Sequence, residues 1–374
     1  MDFDLSDDQR MLKDSVDRLI ADTYGFEQRK AILASPDGWS RAAWGKLAEL
    51  GLLGVNFAED VGGFGGGPVE TMLVAEAFGR GLVVEPYFAT VVLGGGLLRH
   101  AGSAEQQAAY LPQVATGELL LAFAHHERAA RYNLTHIGVT ATQTAEGWTI
   151  DGEKSLVLHG DCADKLLVSA RVSGGVTDAA GIGLFVVDAA AVTRRGYPTQ
   201  DGQRAAEVSF VGARAEALLC LDAWPAISRT IDEAIAFGCA EAVGAMAEMH
   251  ATTIDYMKTR KQFGRAIGEF QVLQHRAVDM LVELEQARSM AMYATMMSAE
   301  DDDIERGKAI SAAKVQVGKS GRMVGQEAIQ LHGGIAMTME YKVGHYFKRV
   351  TMIEKLFGDV ETHTARLVEF GTAL

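Results

Sequence analysis

The spacing of apolar residues along the chain changes twice. Up to about residue 118, apolar side chains recur every three or four positions, which is the period of a helix buried on one face. In the first such segment, the residues that share one helical face are Leu12, Val16, Leu19 and Ile20. From Leu119 short apolar runs alternate with turn residues, as in strands, and beyond Pro225 long helical stretches return. The pattern predicts an α+β protein with a helical domain over residues 1–118, a β domain over 119–224 and a helical domain over 225–374.

Local signals refine each part of this prediction. Ser103, followed three positions later by Gln106, has the spacing of a capping box and predicts a helix that ends near Gly117, bent or shortened by Pro112. The β-prone runs predict an antiparallel sheet or a small barrel: LLLAFAH, IGVTATQ, WTIDG, KLLVSA, IGLFVVD and AEVSFVG. The long helical stretches after them suit a four-helix bundle, with the acidic run AEDDD at residues 299–303 as a solvated turn.

Composition limits the classes of partner and site. The 374 residues carry a formal net charge of −14, which argues against nucleic acid as a ligand because binding to phosphates needs clustered Lys and Arg. Three scattered cysteines indicate neither a disulfide framework nor a thiolate metal site. No segment is apolar over the roughly 18 residues that a membrane helix needs, and the acidic start MDFDLSDDQR does not resemble a signal peptide. We expect a cytoplasmic protein whose partner is a small molecule or another protein.

Two segments resemble functional motifs that their context does not support. VGGFGGGPVE, at residues 61–70, resembles a dinucleotide-binding loop, but its glycines have the wrong spacing and no alternating βαβ units surround it. A loop between helices is expected there instead. His125 and His126 precede Glu127, but adjacent residues of a strand point to opposite faces and cannot easily converge on one ion. No metal site is expected.

Four segments, taken together, resemble the acyl-CoA dehydrogenases: WGKLAELGLLGVNFAEDVGGFGGG, GWTIDGEKSLVLHGDCADKLLVSAR, YMKTRKQFGRAIGEFQVLQHRAVDM and EAIQLHGGIAMTMEY. The resemblance extends over nearly the whole chain. It implies an N-terminal α-helical domain, a middle antiparallel β domain and a C-terminal four-helix bundle, with FAD held between the subunits of a dimer or tetramer. It also implies α,β-dehydrogenation of an acyl-CoA thioester, with an electron-transfer flavoprotein as the electron acceptor.

The resemblance also assigns residues to the cofactor. Those residues are Arg260, Phe263, Gln271, Gln330, Gly333 and Gly334. The first three lie in RKQFG and in the FQ that follows, and are implied to reach the flavin of a neighbouring subunit. An arginine suits this role because its planar guanidinium can hold a pyrophosphate with two hydrogen bonds, although Arg260 could instead merely end a helix. The last three lie in QLHGG and are implied to bring the backbone close to the adenosine end, which glycine permits.

The chain departs from the family pattern around the flavin. In place of the usual Thr-Glu-Pro and Gly-Ser-Asp it has His126, Glu127 and Arg128, and then Arg131, Tyr132 and Asn133. In place of the usual Trp-Ile-Thr-Asn, part of which lies against the flavin ring, it has Leu156, Val157, Leu158 and His159. We therefore expect a differently lined flavin edge. Arg131 and Tyr132 are either CoA contacts or ordinary surface residues.

The catalytic base is the largest departure. The implied reaction needs a carboxylate that removes an α-proton, and the family usually places it directly before the glycine that aligns with Gly358, where this chain has Phe357. The competing carboxylates are Glu233, Glu241, Glu354 and Glu361. Some family members place the base on the first bundle helix, at the position of Ala234. Glu241 lies two helical turns further along nearly the same face, among small apolar residues, and we predict that it is the base. Alternatively, Glu241 and Glu248 are two charges on a solvated stripe.

The missing glutamate also suggests an assembly. Family members that lack it include α2β2 heterotetramers of two related chains, which act on bulky thioesters such as steroid side chains or on dicarboxylic thioesters. We predict that this chain is such a subunit, with an acyl-CoA as substrate and a homologous second subunit as partner, and a homotetramer stays open. A catalytically silent subunit that only completes the FAD site is the alternative. The net charge disfavours a DNA-binding relative, and a flavin monooxygenase on the same scaffold would not need a base at Glu241.

Overall fold

The computed structural model describes residues 5–371. Its helices, in chain order, are α1 (Asp7–Thr23), α2 (Phe26–Leu33), α3 (Arg41–Glu49), α4 (Pro68–Gly81), α5 (Gly96–Ala101), α6 (Ala104–Ala115), α7 (Trp224–Thr259), α8 (Gln271–Met297), α9 (Asp303–His332), α10 (Lys342–Lys355) and α11 (Val360–Glu369). Its strands are β1 (Leu121–Ala124), β2 (Thr140–Thr144), β3 (Gly147–Leu158), β4 (Lys165–Arg171), β5 (Ile182–Asp188), β6 (Thr193–Pro198), β7 (Arg204–Cys220), β8 (Lys261–Gln262) and β9 (Arg265–Ala266). The order of helical, β and helical parts confirms the predicted fold class.

The chain forms two compact units whose boundaries differ from those between its helical and β parts. Unit 1 comprises residues 1–30, 68–83 and 235–374, and unit 2 comprises residues 31–67 and 84–234. The helix α7 is shared, because its residues up to Ala234 belong to unit 2 and those from Ile235 belong to unit 1. The domain boundaries at 118 and 224 separate helices from strands and stay a prediction.

Unit 1 is built from long helices that begin and end at identifiable caps. The helices α7, α8 and α9 have 36, 27 and 30 residues. The Asp302 carboxylate accepts hydrogen bonds from the backbone N–H groups of Ile304 and Glu305 at 2.8 and 3.1 Å, and so starts α9 directly after the acidic turn expected from AEDDD. In α1, Val16 and Ile20 are buried, as the three-and-four spacing predicts.

Unit 1 also contains a crossing of α4 and α7 at backbone contact. A Cβ added to Gly79 would lie 1.9 Å from the carbonyl oxygen of Glu241, and a Cβ added to Gly244 would lie 1.9 Å from the carbonyl oxygen of Glu76. Each helix therefore places a glycine against the backbone of the other. This crossing fixes the height of Glu241 along α7 relative to α4.

Unit 2 contains the β sheet. Its strands follow the order β1-β4-β2-β3-β7-β5, with β6 also on β7, and pairing between β4 and β5 closes the ring as in a small barrel. The pairs β2–β3, β3–β7, β4–β5, β5–β7 and β6–β7 are antiparallel, as expected. Two pairings depart from this expectation, because β1 runs parallel to β4 with Leu121 opposite Lys165, and β2 also pairs with β4 in parallel, with Thr140 opposite Arg171.

The helix that precedes the sheet forms as predicted. Ser103 accepts from the backbone N–H of Gln106 at 3.3 Å, and Gln106 accepts from the backbone N–H of Ser103 at 2.9 Å, which completes the capping box. The helix α6 ends at Ala115 with Pro112 inside its last turn. The glycine-rich segment at residues 62–67 is a loop that leads into α4.

Candidate active site

A strained hairpin follows α7. Arg260 comes directly after the helix, and β8 and β9 are joined by Phe263 and Gly264, whose φ angles are +54° and +81°. Positive φ at both central residues is typical of the tight turns that suit a twisted hairpin, but it is unfavourable for a bulky side chain. The Phe263 side chain is nevertheless 91% exposed. A strained, exposed aromatic residue contributes little to the core of its own unit and suits a contact with a ligand or another chain.

The ends of α7 and α9 meet beside this hairpin. The rings of Tyr256 and His332 lie 4.4 Å apart, and His332 Nδ1 lies 2.8 Å from the carbonyl oxygen of Ala328. A carbonyl only accepts, so His332 Nδ1 carries the proton. Because Arg260 follows Tyr256 by one helical turn and Gly333 follows His332, both lie at the same end of unit 1.

The residues assigned to FAD gather at this end. The backbone N–H of Ile267 donates to the carbonyl oxygen of Arg260 at 2.9 Å, which brings the start of α8 back to the end of α7. All six residues assigned to FAD are exposed: Arg260, Phe263, Gln271, Gln330, Gly333 and Gly334. A Cβ on either glycine would meet nothing within 4 Å, so their backbone is open to a ligand. A guanidinium, two amides and open backbone groups fit the phosphates and the adenine of FAD.

A buried network in unit 2 holds the strand end at the predicted flavin edge. Lys154 Nζ donates to a Glu127 oxygen at 2.8 Å and to the carbonyl oxygen of His125 at 2.9 Å. Burial lowers the pKa of Lys154 to about 8. Burial alone would raise the pKa of Glu127, but Lys154 and the backbone N–H groups of Val139 and Gly138 outweigh it and lower that pKa. Glu127 is thus a structural anion, and no metal role is needed for it.

The segment that replaces Trp-Ile-Thr-Asn is strained at both ends. Leu156 and His159 have φ angles of +51° and +50°, which side chains other than glycine rarely adopt. The register of β3 against β7 shifts between Lys154 and Val157, so the strand bulges there. His159 is buried, with Nε2 3.1 Å from the Gln203 side-chain oxygen. The altered residues therefore occupy a locally fixed backbone.

Two of the four candidate carboxylates, Glu233 and Glu354, are bound by neighbouring groups. Glu233 accepts from Arg99 at 2.6 Å and lies 2.8 Å from His100 Nε2. Glu354 is buried, accepts from the backbone N–H of Val360 at 3.2 Å and pairs with Lys355 at 2.9 Å. The fourth candidate, Glu361, is exposed on the first turn of α11.

The predicted base Glu241 forms a bidentate ion pair. Arg349 Nε and one terminal guanidinium nitrogen donate to its two carboxylate oxygens at 2.6 and 2.7 Å. The two side chains are 4% and 8% exposed, so the pair is buried between α7 and α10. Both oxygens of the carboxylate are therefore engaged by the guanidinium, and neither is placed to take a proton from a substrate. The base assignment stays a prediction that must account for Arg349.

Comparison with known families identifies the chain. Residues 6–118 match the acyl-CoA dehydrogenase N-terminal domain, and residues 224–371 match the acyl-CoA dehydrogenase C-terminal domain. The chain belongs to the acyl-CoA dehydrogenase family. Like its family, this acyl-CoA dehydrogenase is an FAD-dependent oxidoreductase that acts on CH–CH bonds, and the exposed donor groups at the end of unit 1 fit that cofactor.

Relatives extend the comparison. The acyl-CoA dehydrogenase FadE12 of Mycobacterium tuberculosis is 31% identical over 320 residues, which cover 80% of each chain. The solved Tcur3481-Tcur3483 steroid ACAD is 28% identical, with a TM-score of 0.87 and 97% of each chain covered. A chain of the ChsE4-ChsE5 complex from Mycobacterium tuberculosis is 24% identical, with a TM-score of 0.86 over 99% of this chain and 98% of that one, and shows the same fold.

Two negative findings concern the described residues 5–371. Their histidines, cysteines and carboxylates nowhere gather in a group of three or more that could hold a metal ion. Their helices are all too short or too polar to cross a membrane.

Sequence reasoning missed three residues that organise the site. Arg349 pairs with Glu241, while Lys314 and His363 hold the turn that contains Phe357. All three are buried although each is a polar type that is usually exposed or only partly buried. The only local signal was their position on apolar faces of amphipathic helices, and that signal does not name their partners.

Proposed function

We propose that this acyl-CoA dehydrogenase forms a C–C double bond α,β to the thioester of a bulky acyl-CoA, of steroid side-chain or dicarboxylic type, as one subunit of a heterotetramer with a related chain. The observation that carries the proposal is that other groups already bind three of the four candidate carboxylates. Phe357 occupies the usual place of the base, and Glu233, Glu241 and Glu354 are each engaged by a cation or a backbone N–H group. The likeness to a steroid ACAD supports the bulky substrate.

The proposed roles of this chain in the reaction are binding and orientation. FAD, when bound, accepts the hydride from the β-carbon. Arg260 would pair with the pyrophosphate, while Gln330 and the open backbone at Gly333 would meet the adenosine end. In unit 2, the ion pair between Lys154 and Glu127 would keep the strand end at the flavin edge in place. Electrons would leave to an electron-transfer flavoprotein.

Exposed apolar residues on α8 support the partner subunit. On the side of this helix away from its buried face lie exposed Val278, Val282 and Tyr293, with Leu281 beside them, together with polar residues such as Gln271, His275 and Ser289. A mixed face of this kind, with several large apolar side chains exposed, suits contact with a partner. Gln271 begins this face, so a chain that covered it would lie next to the residues assigned to FAD. A related chain with the same fold is the occupant that we propose.

In this proposal Glu241 is the base. Its ion pair with Arg349, however, favours a second candidate function for the chain. If Arg349 keeps hold of the carboxylate, this chain completes the FAD site while the related chain supplies the base. The specific observation for that candidate is the pair of short hydrogen bonds at 2.6 and 2.7 Å. For Glu241 to act, substrate binding would have to release one carboxylate oxygen from Arg349, so that this oxygen could take the α-proton.

The test is an anaerobic titration of the FAD-loaded protein, produced alone and together with its related chain, with a ring-bearing acyl-CoA. Bleaching of the bound flavin reports dehydrogenation. We expect bleaching only with both chains present, and a fall of at least about 100-fold in its rate for Glu241→Gln if Glu241 is the base. Glu248→Gln is the matched control, since Glu248 lies on the same helix and pairs with Lys342 at 2.6 Å.

Each result decides between the candidates. A Glu241→Gln protein that bleaches as fast as wild type assigns the base to the related chain. Full activity of this chain alone as a homotetramer contradicts the heterotetramer. Rapid oxygen consumption without an unsaturated thioester product contradicts dehydrogenation itself.

A further inference from the structure

The turn between α10 and α11 has an unusual backbone. Phe357 and Gly358 follow the end of α10 with φ angles of +57° and +112°. The left-handed region is unfavourable for a residue other than glycine. A Cβ on Gly358 would lie 2.9 Å from His363 Nε2, so only glycine fits. The surrounding structure must therefore hold Phe357 in place.

A buried lysine supplies part of that hold. Lys314, on α9, donates from Nζ to the carbonyl oxygens of Ile353 and Leu356, the latter at 2.9 Å. These carbonyls lie at the C-terminal end of α10, where a cation is favourable and where the helix has no partners of its own for them. Lys314 is only 3% exposed, and burial lowers its pKa to about 8. Burying an ammonium group is unfavourable, so holding the turn in this way lowers the stability of the fold.

A buried histidine fixes the other side of the turn. His363 Nε2 lies 3.1 Å from the carbonyl oxygen of Phe357, and Nδ1 lies 3.2 Å from the hydroxyl oxygen of Ser311. The carbonyl only accepts, so Nε2 is the donor and Nδ1 accepts from Ser311. Burial lowers the pKa of His363 to about 3, which keeps this arrangement neutral at physiological pH. The backbone of Phe357 is thus held from both α9 and α11.

The neighbouring carboxylate takes part in the same structure. Glu354 accepts from the backbone N–H of Val360 at the start of α11, and a Cβ on Gly318 would lie 3.1 Å from its Cγ. Glu354 therefore anchors α11 and is not available at residue 357. Strain, a buried cation and a buried neutral histidine therefore all act on the backbone of the turn that carries the half-buried Phe357. Such costs concentrate at functional positions and are rare where only folding is served.

We propose that Lys314 and His363 are positioning residues for this turn, and that Phe357 is a specificity-determining residue against which an apolar ring or branch of the acyl group packs. This inference rests on the proposed function and deepens it. The rigid turn stands at the position where the family resemblance implies a catalytic carboxylate, and in this proposal the phenyl ring of Phe357 takes that place. An aromatic face favours contact with a ring or branch over a short linear chain because it buries more apolar area.

The experiment compares two thioesters, cyclohexylpropanoyl-CoA and butanoyl-CoA, on the FAD-loaded assembly. We expect Phe357→Ala to lower kcat/KM for the ring-bearing thioester by at least about 10-fold relative to butanoyl-CoA, and Phe357→Tyr to preserve the ratio. Lys314→Met is expected to lower the same ratio, mainly through kcat, although Phe357 is present. Lys308→Met is its control, since Lys308 lies on the same helix and pairs with Glu305 at 2.8 Å.

Contact is measured separately from turnover. In a Phe357→Cys variant, saturating cyclohexylpropanoyl-CoA should slow thiol modification at position 357 at least about 10-fold, with the native cysteines measured in wild type as background. An unchanged modification rate, in a sample whose flavin spectrum shows that the thioester is bound, overturns the inference and leaves the proposed function standing. A thioester that neither shifts the flavin spectrum nor protects the thiol contradicts the proposed function, and the inference falls with it.

Discussion

Glu241 and Arg349 lie 108 positions apart, and neither residue predicts the other. Glu241 could be selected from the sequence because it lies among small apolar residues, where a carboxylate must be paired or functional. Whether Glu241 is paired or functional depends on how α10 packs against α7. That packing joins distant parts of the chain and leaves no local signal in the sequence. The same limit hid Lys314 and His363. At the residue scale, the sequence pointed to Glu241 as a buried carboxylate, but it revealed neither its partner Arg349 nor the other buried polar residues.

A double-mutant cycle tests whether the pair is structural. Glu241→Gln and Arg349→Met should each lower the free energy of unfolding by about 3–5 kcal/mol, because each leaves one buried group unpaired. The double variant should lose clearly less than the sum of the two, since neither charge is then stranded. Chemical denaturation of the FAD-loaded protein, followed by circular dichroism, measures all four proteins. A loss below about 1 kcal/mol for Glu241→Gln would mean that the pair does not stabilise the fold, and would strengthen the case for Glu241 as base.

Elements differed in how far the sequence determined them. The helix α6 was predictable because its start depends on a side chain and a backbone three residues apart, and Ser103 with Gln106 provides both. The parallel pairing of β1 with β4 was not predictable, because the relative direction of two strands depends on residues far apart in the chain. The short apolar run LAFA suits a parallel and an antiparallel pairing equally well. Left-handed residues such as Leu156 and Phe357 were also missed, since their side chains disfavour the conformation that the fold imposes on them.

The close crossing of α4 and α7 predicts that glycine substitutions in these two helices lower the stability of the protein. Gly79→Ala and Gly244→Ala should each destabilise the protein by about 3 kcal/mol or more, because a methyl group at 1.9 Å from a backbone oxygen forces the helices apart. Gly45→Ala is the control, since Gly45 lies inside α3 with nothing within 4 Å of its Cβ, and should be neutral or stabilising by up to about 1 kcal/mol. Melting temperature and flavin retention measure the effect. Equal stability of all three variants would show that the two helices do not approach so closely.

At the scale of the whole protein, a net negative charge is combined with exposed apolar residues on α8. A net charge of −14 opposes non-specific association, so a partner must be selected by specific apolar contact. The fold class and the order of the parts were predictable from sequence because periodicity and the family motifs are local signals, whereas the assignment of residues to FAD stays a prediction. The assembly was not predictable, because the Met and Ala residues within 289–299 suit a core and an interface equally well.

The face on α8 gives the prediction at this scale. Leu281→Glu and Val282→Glu place charges where a related chain would pack, at residues 42% and 51% exposed in this chain. Neither should alter folding of the single chain, because both side chains already face away from its core. Each should raise the dissociation constant of the assembly by at least about 10-fold and release FAD in parallel, since the residues assigned to the cofactor begin on the same face. Sedimentation of the assembly together with flavin absorbance of the fractions measures both effects.

The control for this face separates a specific interface from general apolar contact. Val211 is 90% exposed on β7 in unit 2, so Val211→Glu adds the same charge at an isolated apolar position. It should change neither assembly nor FAD content. If Val211→Glu dissociates the assembly as strongly as the α8 variants, the added negative charge on an already acidic protein is the cause, and the interface does not depend on α8. If neither α8 variant has an effect while FAD stays bound, the partner covers another surface, and the cofactor residues at the end of unit 1 serve the chain's own flavin.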